Sequence, residues 1–324
     1  MTTSVRDRGF SLVVISVLFV VTPAYSTEEP PAWAYPMNTP GLKPKPDDGS
    51  MRRVPDSSAG YTLTQTRNRF GAVDWHPGDH PQMPEVVARG RKPGVFACGW
   101  CHRADGPGGP ENANLAGLQV AYFVQQMADF KSGARKTSVP KRGPTTLMIS
   151  LAKNISDEEI AAAAGYFASL KAKRIIKVVE TDMVPKTVVA GWFFSDAKSG
   201  ETEPIGQRII EVPENLDHFE SRDARATFIA YAPAGSIKKG EALVTTGAER
   251  KILPCATCHG ADLKGAGSVP PIAGRSPSYT VRQLYDYQSG ARAGPGAAQM
   301  KPSVDKLSVA DMTAIAAYLA TLAP

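Results

Sequence analysis

The stretch CGWCHRADGPGGPENANLAGLQVAYFVQQMADFKSGAR, residues 98–135, decides the fold because it returns without a gap at residues 255–292 as CATCHGADLKGAGSVPPIAGRSPSYTVRQLYDYQSGAR. The offset is a constant 157 residues. Cys98, Cys101 and His102 return as Cys255, Cys258 and His259, and Tyr122, Gln126 and Asp129 as Tyr279, Gln283 and Asp286. The run Ser132 to Arg135 returns whole as Ser289 to Arg292. A unit has been duplicated within the chain.

Each copy opens with Cys-x-x-Cys-His. Two thiols one helical turn apart can add to the two vinyl groups of one haem, while the adjacent histidine ligates its iron. A redox-active dithiol and half of a zinc site are the competing readings. They fail here because all four cysteines of the chain lie in two such motifs, each followed by histidine, and no further pair could complete a zinc site. The motifs therefore predict two covalently attached haem c groups with His102 and His259 as axial ligands of the iron.

Low-spin haem iron needs a sixth ligand from the opposite side, and methionine thioether is the usual one in electron-transfer cytochromes. The first copy offers Met127 and Met148, the second Met300 and Met312. Met127 matches Leu284 and Met312 matches Ile160, both on the apolar faces of expected helices. Met148 and Met300 remain, and each lies eight residues before a serine that can cap a closing helix, Ser156 and Ser308. The reading therefore assigns the iron to His102 and Met148 in the first copy and to His259 and Met300 in the second. Both methionines are expected in loops. Ser156 with Glu159, and Ser308 with Asp311, should open helices that bury Ile160, Ala163, Phe167 and their counterparts.

At 324 residues the chain suits two or three domains. Residues 1–26 read as a signal peptide: Arg6 and Arg8, an apolar run from Phe10 to Val21 too short to span a bilayer, then Ala24, Tyr25 and Ser26 as the cleavage site. This predicts a periplasmic protein cut near Ser26 with no membrane span afterwards. The net charge of +6 is lowered by loss of the signal and by haem propionates, and no basic helix or basic-aromatic platform points to nucleic acid. Residues 27–80 form a proline-rich extension whose aromatics favour partial docking, with His76 and His80 expected at its surface. Residues 174–233 hold short runs rich in valine, isoleucine and aromatics between turn formers, which predicts three or four antiparallel strands.

Two Cys-x-x-Cys-His units, paired methionines and closing helices containing Tyr166-Phe167-Ala168 and Tyr318-Leu319-Ala320 give a chain that resembles dihaem class I cytochromes c of the cytochrome c4 family. The resemblance covers roughly residues 81–173 and 234–324. It implies two all-α class I cytochrome c haem domains in tandem, residues 81–173 and 234–324; with the small β-rich linker read from the residues at 174–233, which departs from the family's short linker as the proline-rich extension does, the expected fold is mainly α. The family's Pro-x-Leu-Ala-Gly segment is matched by Pro270 to Gly274, and implies that the carbonyl of Pro270 orients the axial imidazole. Ala113 stands in that place in the first copy. The implied function is periplasmic electron transfer, as a carrier or as the electron-accepting subunit of a dehydrogenase or respiratory complex. The partners would be a redox donor and acceptor such as a dehydrogenase or terminal oxidase. The alternative is a dihaem redox enzyme, such as a cytochrome c peroxidase or thiosulfate dehydrogenase. It would need a displaceable sixth ligand and a nearby acid or base, and no histidine other than the motif ligand falls inside either repeat.

Overall fold

A computed structural model describes residues 1–2, 29–41 and 45–324. The signal segment expected at 1–26, with its cleavage site at Ser26, falls outside the described residues apart from Met1 and Thr2.

The first helical cluster is built from α1 (Leu63–Thr66), α2 (Glu85–Ala88), α3 (Cys98–His102), α4 (Val120–Ser132), α5 (Gly143–Ala152) and α6 (Asp157–Ser169), with a two-residue ladder of β1 (Gly90–Arg91) and β2 (Val95–Phe96). Its core joins Val87, Phe123, Met127, Phe130, Leu151, Ala163 and Phe167. Helix α4 stops where Gly133 takes φ +79°, a left-handed turn that glycine adopts without a side-chain clash. Helix α6 starts at a complete capping box: Glu159 N donates to Ser156 Oγ, and Ser156 N donates to Glu159.

The insert follows as β3 (Ile176–Glu180), β4 (Met183–Pro185), β5 (Thr187–Ala190), β6 (Phe193–Asp196), β7 (Thr202–Pro204), β8 (Ile210–Pro213), α7 (Leu216–Glu220) and β9 (Phe228–Ala232). The all-antiparallel expectation is corrected here. Strand β3 runs parallel to β9, with Ile176 opposite Phe228 and Val178 opposite Ala230, and β8 pairs antiparallel on the other side of β9. The run from Thr187 to Phe194 is not one strand but a hairpin, β5 against β6, because Gly191 at φ +71° turns the chain. The parallel pair has a topological cause: β3 leaves α6 of the first cluster and β9 leads into the second, so the whole insert forms the crossover between them.

The second cluster contains α8 (Ser236–Arg250), α9 (Ala256–His259), α10 (Pro277–Gln288), α11 (Ala297–Val304) and α12 (Val309–Thr321). Helix α12 repeats the capping box with Ser308 and Asp311. It packs mainly on α8 and α10. Met312, Ile315, Ala316 and Leu319 are all but fully buried in the core they share with Leu243, Val244, Val281 and Leu284. Ala34 and Tyr35 of the N-terminal extension enter that same core.

Two further expectations are corrected. Met148 and Met300 lie on helices, α5 and α11, rather than in loops. His76 and His80 are not surface histidines: His76 is 7% exposed and pairs with Asp223 at 3.3 Å, and His80 lies 3.3 Å from Asp74. The proline-rich segment can hold them inside because it has a core of its own, Val54, Val73 and Trp75 with Tyr61 packed against it.

Candidate functional site

Helices α3 and α9 bring each pair of cysteines and its histidine to the wall of one continuous cavity of about 920 Å³. Cys98, Cys101, His102 and Met148 line it from the first repeat, and Cys255, Cys258, His259 and Met300 from the second. Met127 also reaches the wall, through the buried face of α4. Met312, wholly buried in the second core, is not among the lining residues. The volume stands at the upper end of the range for a single ligand pocket, ~300–1,000 Å³.

The two histidines are held alike. Nδ1 of His102 lies 2.8 Å from the carbonyl oxygen of Ala113, and Nδ1 of His259 lies 2.8 Å from that of Pro270. A carbonyl only accepts, so Nδ1 carries the proton and Nε2 keeps its lone pair. Burial pushes His102 down to about 4, opposed by the bond to Ala113, and lowers His259 in the same way. Both imidazoles are therefore neutral near pH 7, the form that can ligate a metal through Nε2. Replacing proline by alanine in the first copy has left the orienting bond unchanged in length.

The donor set fits haem in a second respect. Arg142, Arg275 and Arg282 line the cavity, are buried, and form no ion pair with a carboxylate among the described residues. Arg142 donates to the carbonyl of Trp192 at 3.2 Å, Arg275 to those of Asn114 and Ala116 at 3.3 Å, and Arg282 to those of Ala34 and Pro110. Nε of Arg142 and of Arg275 has no partner among the described residues. Burial pushes Arg142 down to about 9, with repulsion from Arg282 adding to it, and Arg275 to about 10. A buried cation without an ion-pair partner is costly, and anions inside the cavity would relieve it. Haem propionates are such anions.

A pseudo-two-fold seam joins the repeats. Arg135 donates to Gln126 at 2.8 Å within its own repeat and to Tyr279 at 2.8 Å and Gln283 at 3.1 Å in the other. Arg292 answers with Gln283 at 3.0 Å in its own repeat and Gln126 at 2.6 Å and Tyr122 at 3.3 Å across the seam. Each guanidinium also lies over the equivalent ring, Phe130 at 4.4 Å and Tyr287 at 4.1 Å. Lys136 N to Ala291 O and Ala293 N to Ala134 O complete the symmetry in the backbone, at 2.8 and 2.7 Å. The sequence carried the signal, since all of these positions recur at the offset of 157, but a repeat alone does not say that its two copies face each other.

Comparison with known proteins finds likenesses to cytochromes c. The family model described as cytochrome c matches residues 237–323. Cytochrome c4 of Pseudomonas aeruginosa is 27% identical over 229 residues, 68% of this chain and 82% of the relative. The thiosulfate dehydrogenase electron acceptor of Stutzerimonas stutzeri is 27% identical over 237 residues, 72% of this chain and 82% of the relative. Among solved structures, reduced recombinant cytochrome c4 from Pseudomonas stutzeri is 23% identical, with 69% of this chain and 93% of that chain covered at a TM-score of 0.46. The chain is a dihaem cytochrome c-like protein of electron transfer with covalently bound haem c. Within that class it is similar to cytochrome c4.

Proposed function

We propose that the chain is an exported periplasmic electron carrier, or the electron-accepting subunit of a dehydrogenase complex, and that it performs no substrate chemistry of its own. In this reading residues 81–173 and 234–324 form tandem haem domains. Cys98 and Cys101 attach one haem and Cys255 and Cys258 the other; His102 with Met148, and His259 with Met300, are the axial pairs. The observation that carries it is the matched pair of imidazoles, each fixed at Nδ1 by a carbonyl 2.8 Å away on the wall of one cavity.

Bound haem supplies an iron that cycles between ferric and ferrous. The chain's own residues orient the imidazoles, keep them neutral by burial, and offer thioether sulfur from α5 and α11. Arg142, Arg275 and Arg282 place positive charge where propionates would lie. Two curated relatives are named electron acceptors of thiosulfate dehydrogenase, which supports the electron-accepting role. No helix among the described residues is long and apolar enough to cross a membrane.

The test is the mass and the turnover of the purified protein. The expected mass is that of a chain beginning near Thr27 plus two haems that survive acid-acetone extraction, with rapid electron exchange with small redox dyes. A mass with one haem or none rejects the site assignment. Substantial turnover with peroxide or thiosulfate, lost with the haem, makes the protein an enzyme.

A further inference from the structure

The two repeats match residue for residue, yet they are covered differently. In the second, Thr257, Cys258, Ala261, Asp262, Lys264 and Ser268 are exposed. In the first, their counterparts Trp100, Ala104, Asp105 and Pro107 are buried, and Cys101 and Glu111 are half-buried. No residue from Gly99 to Ala113 is exposed.

What covers the first motif comes from outside the repeat. Trp100 donates its indole N–H to the carbonyl of Thr66, on α1 of the N-terminal extension, at 3.0 Å. Arg222, from the insert, lies 3.7 Å over the Trp100 ring and donates to the carbonyls of Thr66 and Trp100 at 2.8 Å each. Phe219, also from the insert, stacks under Arg103 at 4.7 Å. Lys173 ties Asp105 to Asp79 of the extension at 2.8 and 2.9 Å, and Asp79 binds Arg225 of the insert at 2.8 Å. Extension and insert also lock onto each other, with the Trp75 indole donating to the carbonyl of Ser221 at 2.8 Å and His76 paired with Asp223. Among the described residues, the extension reaches the second repeat through Ala34 and Tyr35 in its core, and no comparable layer buries Thr257, Cys258, Ala261 or Asp262.

Electron transfer falls off exponentially with the distance between cofactor edges, so a layer of packed chain over one edge removes it from external partners. The open edge is also nearly free of net charge. Asp262 and Lys264 oppose each other, and the exposed residues Thr257, Ala261, Ser268, Pro295 and Gln299 are uncharged. A face without net charge gives no steering to a charged partner.

Resting on the electron-transfer reading above, we propose that the edge of the second haem is the single port through which electrons enter and leave, that the first haem exchanges only with the second across the shared cavity, and that the port fits a redox protein whose own cofactor edge is ringed by uncharged side chains. One electron from a reduced partner would pass through the second iron to the first. A second electron would then reduce the second iron, so that two one-electron partner molecules would be oxidised as two ferric irons became ferrous.

Three measurements on the ferric or fully reduced holoprotein test this. With a neutral, soluble gadolinium chelate, the haem methyl resonances of one haem should broaden while those of the other stay sharp; equal broadening overturns the proposal. In stopped-flow oxidation by ferricyanide, Ser268→Glu should slow the release of both electrons severalfold at low salt, the effect vanishing at high salt. Arg67→Glu, exposed beside the first motif, should leave both unchanged. If Arg67→Glu slows one phase as Ser268→Glu slows the other, each haem has its own port and the proposal fails. Wild-type rates with ferricyanide and with tris(phenanthroline)cobalt(III) should each change less than about twofold with salt. Steep dependences of opposite sign would assign a charged docking face and overturn the partner class. Failure of either iron to exchange electrons with any probe would instead reject the electron-transfer reading on which the proposal rests.

Discussion

Four methionines compete for two axial positions, and they differ in what surrounds them. Met148 and Met300 are half-buried on the cavity wall, Met127 is buried but reaches that wall, and Met312 is wholly inside the second core. Met148→Ala and Met300→Ala should therefore each remove about half of the sulfur-to-iron charge-transfer band of the ferric protein. Met312→Ala should leave the band intact while costing ~2–5 kcal/mol of stability, read from denaturant unfolding. Loss of the band in Met127→Ala, with both haems retained, would overturn the assignment to Met148. Arg142 allows a second test at this scale. Reduction takes one positive charge from an iron, so a buried cation beside the cavity favours the ferrous form. Arg142→Gln should lower the reduction potential of at least one haem, and a redox titration in which neither potential falls would separate this guanidinium from the haems.

Elements were legible where capping and periodicity agreed. Helices α6 and α12 begin at the serines that the sequence marks, and Ser156→Ala or Ser308→Ala should cost ~1 kcal/mol each in thermal or denaturant unfolding. Helices α5 and α11 were hidden because each contains or follows a proline, Pro144 and Pro302, and proline reads as a loop signal when its position within the helix is unknown. Helix α8 was hidden by Gly240 and Gly247, which weaken any helical pattern. The fold uses Gly240 for contact: a Cβ there would collide with the carbonyl oxygen of Ala314 where α8 crosses α12. Gly240→Ala, which raises helix propensity in isolation, should here destabilise the protein by ~1–3 kcal/mol, and a rise in melting temperature would refute the close crossing.

At the scale of the molecule, the cover over the first motif depends on a few charged pairs around Asp79. Hydrogen bonding from Arg225, with Lys173 beyond it, outweighs burial and holds the Asp79 carboxyl well below the usual carboxylate range. A depressed carboxylate stabilises the fold fully above its unfolded value of ~4, and the contribution is lost as pH falls from there through the folded value. These groups are partly exposed, so each pair is worth roughly 0.5 kcal/mol. Limited proteolysis should accordingly cut within residues 45–80 faster at pH 3 than at pH 6, and Asp79→Asn should raise the pH 6 rate toward the acid one. Equal rates at both pH values would mean that the extension is held by its apolar core alone.

The amino-acid sequence by itself determined the duplication, the two Cys-x-x-Cys-His motifs, the repeated pairing of methionine with helix cap, and the polar and apolar faces of the main helices. These are local properties, set by spacing along the chain and by the chemistry of neighbouring side chains. Tertiary structure alone decided which surfaces meet. The sequence carries Arg135 and Arg292 as equal partners, but their reciprocal bonds across the seam exist only because two separately folded copies face each other. Trp100 and Thr257 occupy matching positions, and one is buried while the other is exposed because chain from residues 62–80 and 216–225 has settled over the first. Such cover depends on contacts between residues more than a hundred positions apart, such as Trp100 with Arg222, which no periodicity or motif encodes.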